Sequence, residues 1–162
     1  MATVVLSVAV VAAYHSGLRG PFIFDDLTCI EQNPSLQHVF PLWDKEPGSG
    51  PLWPAREYPT AGRPLVNLSF ALNVASGGLD PFGFHVVNVC LHVLAALVLF
   101  ALVRRTLRLE RFEHRFDRAA DGLALAAALL WALHPINTET VEYVTQRTEL
   151  MVGLFYLLTL YG

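Results

Sequence analysis

FHVVNVCLHVLAALVLFALV, residues 84–103, runs for twenty residues without a charged side chain. Twenty apolar residues in helical form reach about 30 Å, the thickness of a bilayer's hydrocarbon core. This stretch predicts a membrane span, and the chain on either side has the composition that goes with one. Of the 162 residues 54% are hydrophobic and 15% charged, with a mean hydropathy of +0.44. Soluble domains carry about a quarter charged residues. The net charge of −3, with no cluster of Lys and Arg among aromatics, excludes nucleic acid as a partner. Cys29 and Cys90 form neither a CxxC pair nor a zinc spacing.

Three further apolar segments predict an all-α membrane protein of about four spans. Residues 2–19 open with ATVVLSVAVVAAYHSGL, which lacks the basic start and the cleavage site of a signal peptide. It is read as a span whose start lies upstream of Met1. The segment 119–134 is rich in Ala and Leu and stops at His134-Pro135. The run LMVGLFYLLTLY at 150–161 reaches bilayer length if its helix starts at 138, and the chain is read as the N-terminal part of a longer protein.

Loop charge sets the orientation. Residues 104–118 hold six Arg against three acids, and 20–83 hold three basic residues against seven acidic ones. Positive loops stay in the cytoplasm. The expected arrangement is N-terminus in, 20–83 out, 104–118 in and 134–149 out, with a cysteine probe at Ser49 labelled from outside and one at Glu113 not. Nine prolines break the large external loop, which is expected to carry only short helices, one of them interfacial over 64–76. The sequon Asn67-Leu68-Ser69 in that helix is read as a chance match.

Three polar features fall on the external side. Asp25-Asp26 can serve as a general base and its partner, or bind a divalent metal; the alternative is an N-cap for a short helix starting at Leu27. His85, Asn88 and His92 lie on one face of the second span, pointing into the bundle, where interhelical hydrogen bonding is the simpler role. The two histidines are about 10 Å apart along the axis, too far to share an ion. Glu139, Glu142, Gln146 and Glu149, at i, i+3, i+7 and i+10, make one face if 138–161 is a single helix. An amphipathic entry to a span is the plainer reading of that run. Together the three describe an acidic cleft at membrane level, open to the outside.

The motifs carry a resemblance. F-x-F-D-D at 22–26 with Asn33-Pro34, Arg63-Pro64-Leu65, Gly78-Leu79-Asp80-Pro81-Phe82-Gly83-Phe84-His85, Asn88, Leu91-His92, His134-Pro135, Thr138-Glu139-x-Val141 and Arg147-x-Glu149-Leu150 follow in order over residues 14–161. This series resembles the N-terminal region of the transmembrane and TPR-repeat O-mannosyltransferase family and its bacterial relatives. The resemblance implies part of a GT-C fold and transfer of a sugar from a polyprenyl-phosphate donor to a protein Ser or Thr hydroxyl, with inversion. It implies Asp25 or Asp26 as catalytic base, Glu139 assisting, and Arg63 and Arg147 on the donor phosphate, with His85 and Glu149 beside the donor or acceptor. A divalent metal is the one cofactor left open. Members of that family continue through more spans and into tetratricopeptide repeats, so the 162 residues alone are not expected to be active. The bacterial inner membrane, site toward the periplasm, is the expected location; in a eukaryote it would be the endoplasmic reticulum membrane.

Two other function classes share these features. A transporter subunit would pass solute along the polar stripes, but repeated halves and helices broken near mid-membrane are its usual marks, and spans two and three show neither. A non-catalytic membrane scaffold fits the same residues without turnover.

Overall fold

The computed structural model describes residues 1–43, 46, 48 and 50–162; Asp44, Lys45, Pro47 and Ser49, the last an expected labelling position, lie outside them. Among the described residues there are helices and turns and no strand. Six α-helices follow in order: α1 Ala2–Tyr14, α2 Pro64–Gly77, α3 Pro81–Leu107, α4 Ala120–Ala132, α5 Asn137–Glu142 and α6 Arg147–Tyr161. Single turns interrupt the connections at Gly17–Arg19, Leu27–Glu31, Pro34–Leu36, Glu110–Phe112 and Val144–Gln146.

α3 is the axis of the molecule. Asp80 caps it, its side chain accepting from the Phe82 N–H at 3.1 Å, and Pro81 supplies the fixed φ of a first helical residue. Arg104 and Arg105 close its last turn, where a cation faces the negative end of the helix dipole. It extends past residues 84–103 at both ends. Among the described helices it alone has both the length and the hydropathy to cross a bilayer.

The other expected spans are shorter than their apolar runs. α1 stops at Tyr14 and a turn at Gly17–Arg19 follows; α4 covers 13 residues within 119–134. The stretch 138–161 is not one helix: α5 and α6 are separated at Tyr143, whose ψ of 113° is extended. Each of these helices is therefore below bilayer length on its own.

α1, α4 and α6 pack around α3. On α4, Ala120, Ala124, Ala128 and Ala132 are all fully buried at a spacing of four, so one face carries only methyl groups and its backbone comes close to α1 and α3. His134-Pro135 ends α4 by removing the next amide donor. The carbonyls left over find side chains: Ala132 O accepts from Tyr14 Oη at 3.0 Å and His92 Nε2 at 2.9 Å, and Trp131 O from Asn137 Nδ2 at 2.6 Å.

A second apolar cluster holds the proline-rich loop to the bundle. Phe22, Cys29, Ile30 and Leu36 of the loop pack on Val66 and Phe70 of α2 and Phe84 of α3. At its centre Asn67 is fully buried, accepting from Asn33 Nδ2 at 2.9 Å and donating to Ser35 Oγ at 2.9 Å and Pro51 O at 2.8 Å. That amide has no room for a glycan. A loop crowded with prolines is thus ordered by three buried polar residues rather than by its own helices.

Candidate functional site

The two adjacent carboxylates have opposite surroundings. Asp26 is 1% exposed. It accepts from the Ile23 N–H at 3.2 Å, from the Thr145 N–H at 2.8 Å, and closely from the Thr145 hydroxyl. Although it precedes the turn Leu27–Glu31, its side chain makes no capping bond there, so the N-cap alternative does not describe it. Asp25 is exposed, and its carboxylate makes no hydrogen bond among the described residues. Its amide N–H donates to Tyr143 Oη at 3.0 Å. One member of the pair is an anchor between the first loop and the segment after α5, and the other is an exposed carboxylate beside that anchor.

The same anchoring breaks the predicted fourth helix. Asn88 Nδ2 on α3 donates to the carbonyls of Val141 and Val144, each at 3.3 Å, while Asp26 takes the Thr145 N–H. Those backbone groups would otherwise serve a continuous helix, and buried side chains outcompete it. The break redirects the acidic face expected at 139–149. Glu139 and Glu142 border a cavity of about 420 Å³ with His85 and Tyr143. Glu149, one helix later, borders a separate small cavity beside His92 and Trp131. The single stripe of the sequence reading is therefore corrected to two sites.

Arg147 is drawn into the interior. Its guanidinium is fully buried. Nε donates to Asn88 Oδ1 at 2.8 Å, Nη1 to Asn73 Oδ1 at 2.8 Å and Ser69 Oγ at 3.1 Å, and Nη2 to the Phe84 carbonyl at 3.0 Å. The plane lies over the Phe70 ring at 4.5 Å. With four of its five N–H donors spent on α2 and α3, Arg147 ties three helices together.

Arg63 remains open at the surface. It sits at the mouth of an apolar groove of about 230 Å³ between the start of α2 and the outer half of α6, lined by Leu65, Met151, Val152 and Phe155. The buried Cys29 thiol bonds to Thr145, the residue that also holds Asp26. Burial pushes that thiol up to about 11, Asp25 adding to the effect, the Thr145 hydrogen bond and Arg63 opposing it.

On α3 the stripe is interior throughout: His85, Asn88 and His92 are at most 3% exposed. Asn88 and His92 are spent on backbone carbonyls and Arg147, as interhelical hydrogen bonding predicts. His85 Nε2 meets the Gly20 carbonyl at 3.1 Å. Among the described residues no three His, Cys, Asp or Glu converge closely enough to hold a metal ion, so no step is derived through one.

Thr145 and Tyr143, which position the pair, carry no mark in the sequence, because their partner lies about 120 residues away. Phe24 had a signal, as the central aromatic of F-x-F-D-D. Its φ of +46° is in the left-handed region that a bulky residue rarely adopts.

A helical bundle built on one membrane-length helix presents an exposed carboxylate, Asp25, next to an anchored one, Asp26. The chain is similar over nearly all its length to protein O-mannosyl-transferases. It is 39% identical to the human protein O-mannosyl-transferase TMTC4 over 98% of this chain and 22% of that protein. It is 36% identical to mouse protein O-mannosyl-transferase TMTC1, over 97% of this chain and 16% of the relative. With mouse protein O-mannosyl-transferase TMTC2 the figures are 34%, 99% and 18%. The chain belongs to this family, and it spans about a fifth or less of the length of these relatives. No family model and no solved structure matches it.

Proposed function

We propose that this chain forms the catalytic-loop part of a multi-pass membrane O-mannosyltransferase of GT-C type, using a polyprenyl-phosphate mannose donor and a protein Ser or Thr acceptor. The observation that carries the reading is the division of labour in the Asp pair: Asp26 is locked by Thr145, and Asp25 is held beside it with a free carboxylate. In the reaction, Asp25 takes the proton of the acceptor hydroxyl as its oxygen attacks the anomeric carbon. The bond from that carbon to the phosphate oxygen breaks on the opposite face, which inverts the centre. The electron pair leaves with the polyprenyl phosphate, whose charge Arg63 balances. The groove beside Arg63 suits an isoprenoid tail, since its lining by Leu65, Val66, Met151, Val152 and Phe155 is apolar.

Two measurements test this. The full-length protein in membranes is expected to transfer mannose from polyprenyl-phosphate mannose to a Ser/Thr peptide, and not from a nucleotide sugar. Transfer from the nucleotide sugar alone would refute the lipid donor. In this reading loop 20–83 and the pair lie outside, toward the periplasm or the endoplasmic reticulum lumen, as the loop charges favour. An impermeant thiol reagent is expected to label Glu57→Cys and to miss Glu113→Cys, both positions being exposed. The reverse pattern would put the pair on the wrong side for this chemistry.

A further inference from the structure

The connection between α3 and α4, RRTLRLERFEHRFDR at 104–118, holds six of the chain's eleven basic residues. It lies at the far end of the bundle from the Asp pair. Gly20 and Phe22, just before the pair, meet His85 and Phe84 at the start of α3. From there the 27 residues of α3 carry the chain about 40 Å.

Three of the six arginines are engaged. Arg104 and Arg108 pair with Asp121 at 2.6 and 3.0 Å, and Arg105 donates to the Tyr161 carbonyl with its guanidinium over the Tyr161 ring. The other three, Arg111, Arg115 and Arg118, are exposed and form no ion pair among the described residues. Asp117, their nearest acid in sequence, is taken by His114 at 2.8 Å.

The backbone gathers these charges around an apolar edge. Glu113 and His114 have φ of +49° and +60°, two successive non-glycine residues in the left-handed region. Strain of this kind persists where contacts impose it, and it clusters at functional sites. Here it turns the chain so that Phe112 and Phe116 meet edge to face at 5.6 Å. Arg111 lies over the Phe112 ring at 5.5 Å and Arg115 over the Phe116 ring at 5.7 Å. Both rings are half-buried, yet neither packs on the core of the bundle. Leu109, exposed just before them, extends the apolar surface.

Aromatic rings flanked by unpaired guanidinium groups have the composition of a membrane–water boundary. Rings settle between headgroups and acyl chains, while long arginine side chains reach back to phosphate oxygens. The position agrees, because the connection leaves directly from the end of the one described helix long and apolar enough to cross a bilayer. An acidic protein segment would match the charge but gives the rings no reason to stand there. We propose that residues 109–118 form a membrane-surface wedge for anionic phospholipid headgroups, with Arg111, Arg115 and Arg118 on phosphate and Phe112 and Phe116 in the boundary. This surface is separate from the sugar-transfer site and does not rest on that reading.

Full-length protein in neutral detergent is titrated with phosphatidylglycerol, or with phosphatidylcholine of the same acyl chains. Native mass spectrometry counts the bound lipid, and the unfolding midpoint is followed alongside. Phosphatidylglycerol is expected to bind and raise the midpoint, phosphatidylcholine much less, and the difference is expected to fade as salt screens the charges. Each arginine removed is expected to weaken binding about fivefold, so Arg111→Gln, Arg115→Gln and Arg118→Gln together weaken it about a hundredfold. Arg111→Lys, Arg115→Lys and Arg118→Lys together keep the charge and are expected to retain most of the affinity. Phe112→Ser with Phe116→Ser leaves the charges in place and is expected to weaken binding about tenfold. Glu110→Gln with Glu113→Gln is expected to tighten binding, a gain that misfolding cannot produce. Equal binding of the two lipids by wild type, or phosphatidylglycerol binding unchanged in the Gln and Ser variants, overturns the wedge. Binding of polyglutamate with no response to lipid charge makes the loop a protein-docking surface and overturns it as well.

Discussion

The Asp25→Asn variant of the full-length protein is expected to transfer mannose about two to four orders of magnitude more slowly than wild type, the contribution of a positioned general base. Asn keeps the shape of the side chain and removes only the basic oxygen. Because Asp25 is exposed and its carboxylate is bonded to nothing among the described residues, stability should change by no more than about 0.5 kcal/mol. Asp26→Asn is expected to behave differently. Its Oδ1 can still accept from Thr145, but the new NH2 group confronts the Ile23 N–H, donor against donor. That mismatch in a buried site costs about 1–3 kcal/mol. The loss of transfer in Asp26→Asn should therefore track a lower thermal midpoint, while that in Asp25→Asn should not. Near-normal transfer by Asp25→Asn would leave the enzyme reading without its base.

The second large effect is expected at Arg147. Arg147→Met leaves Asn73, Asn88, Ser69 and the Phe84 carbonyl without their donor in the bundle interior. Each buried acceptor left unpaired costs about 1–3 kcal/mol, so the four together are enough to remove most of the folded protein from the membrane fraction. Arg147→Lys should rescue little, because one ammonium cannot reach acceptors spread over α2 and α3 as a planar fork does. The measurement is the yield of detergent-soluble monodisperse protein and its unfolding midpoint. If Arg147→Lys folds normally and instead raises KM for the lipid donor, the phosphate role expected from sequence is right and the structural role is wrong.

Much of the molecule was legible in the linear pattern. A charge-free run of twenty residues can only be satisfied as a helix with a hydrocarbon-like surround, so α3 and its inward polar stripe followed from composition and the 3.6-residue period. The proline-rich loop, the short helix after Arg63 and the stop at His134-Pro135 also followed, because proline acts on its own neighbours. The family was legible from the order of its motifs. These are local properties, and local sterics and solvation decide them.

What the sequence left open depended on contacts between distant residues. Two identical neighbours, Asp25 and Asp26, differ because one meets Thr145 and the other meets solvent, and no periodicity separates residues 119 positions apart. Helical spacing drew Glu139 through Glu149 as one face, yet Asn88 on another helix captures the carbonyls of Val141 and Val144 and ends that helix at Tyr143. An exposed-looking arginine beside an acidic stripe became the interior tie of three helices by the same route. A helix continues only while its own i to i+4 hydrogen bonds are the best available, and in this protein the tertiary structure supplies better ones at Tyr143, in a bundle where buried polar groups cannot fall back on water.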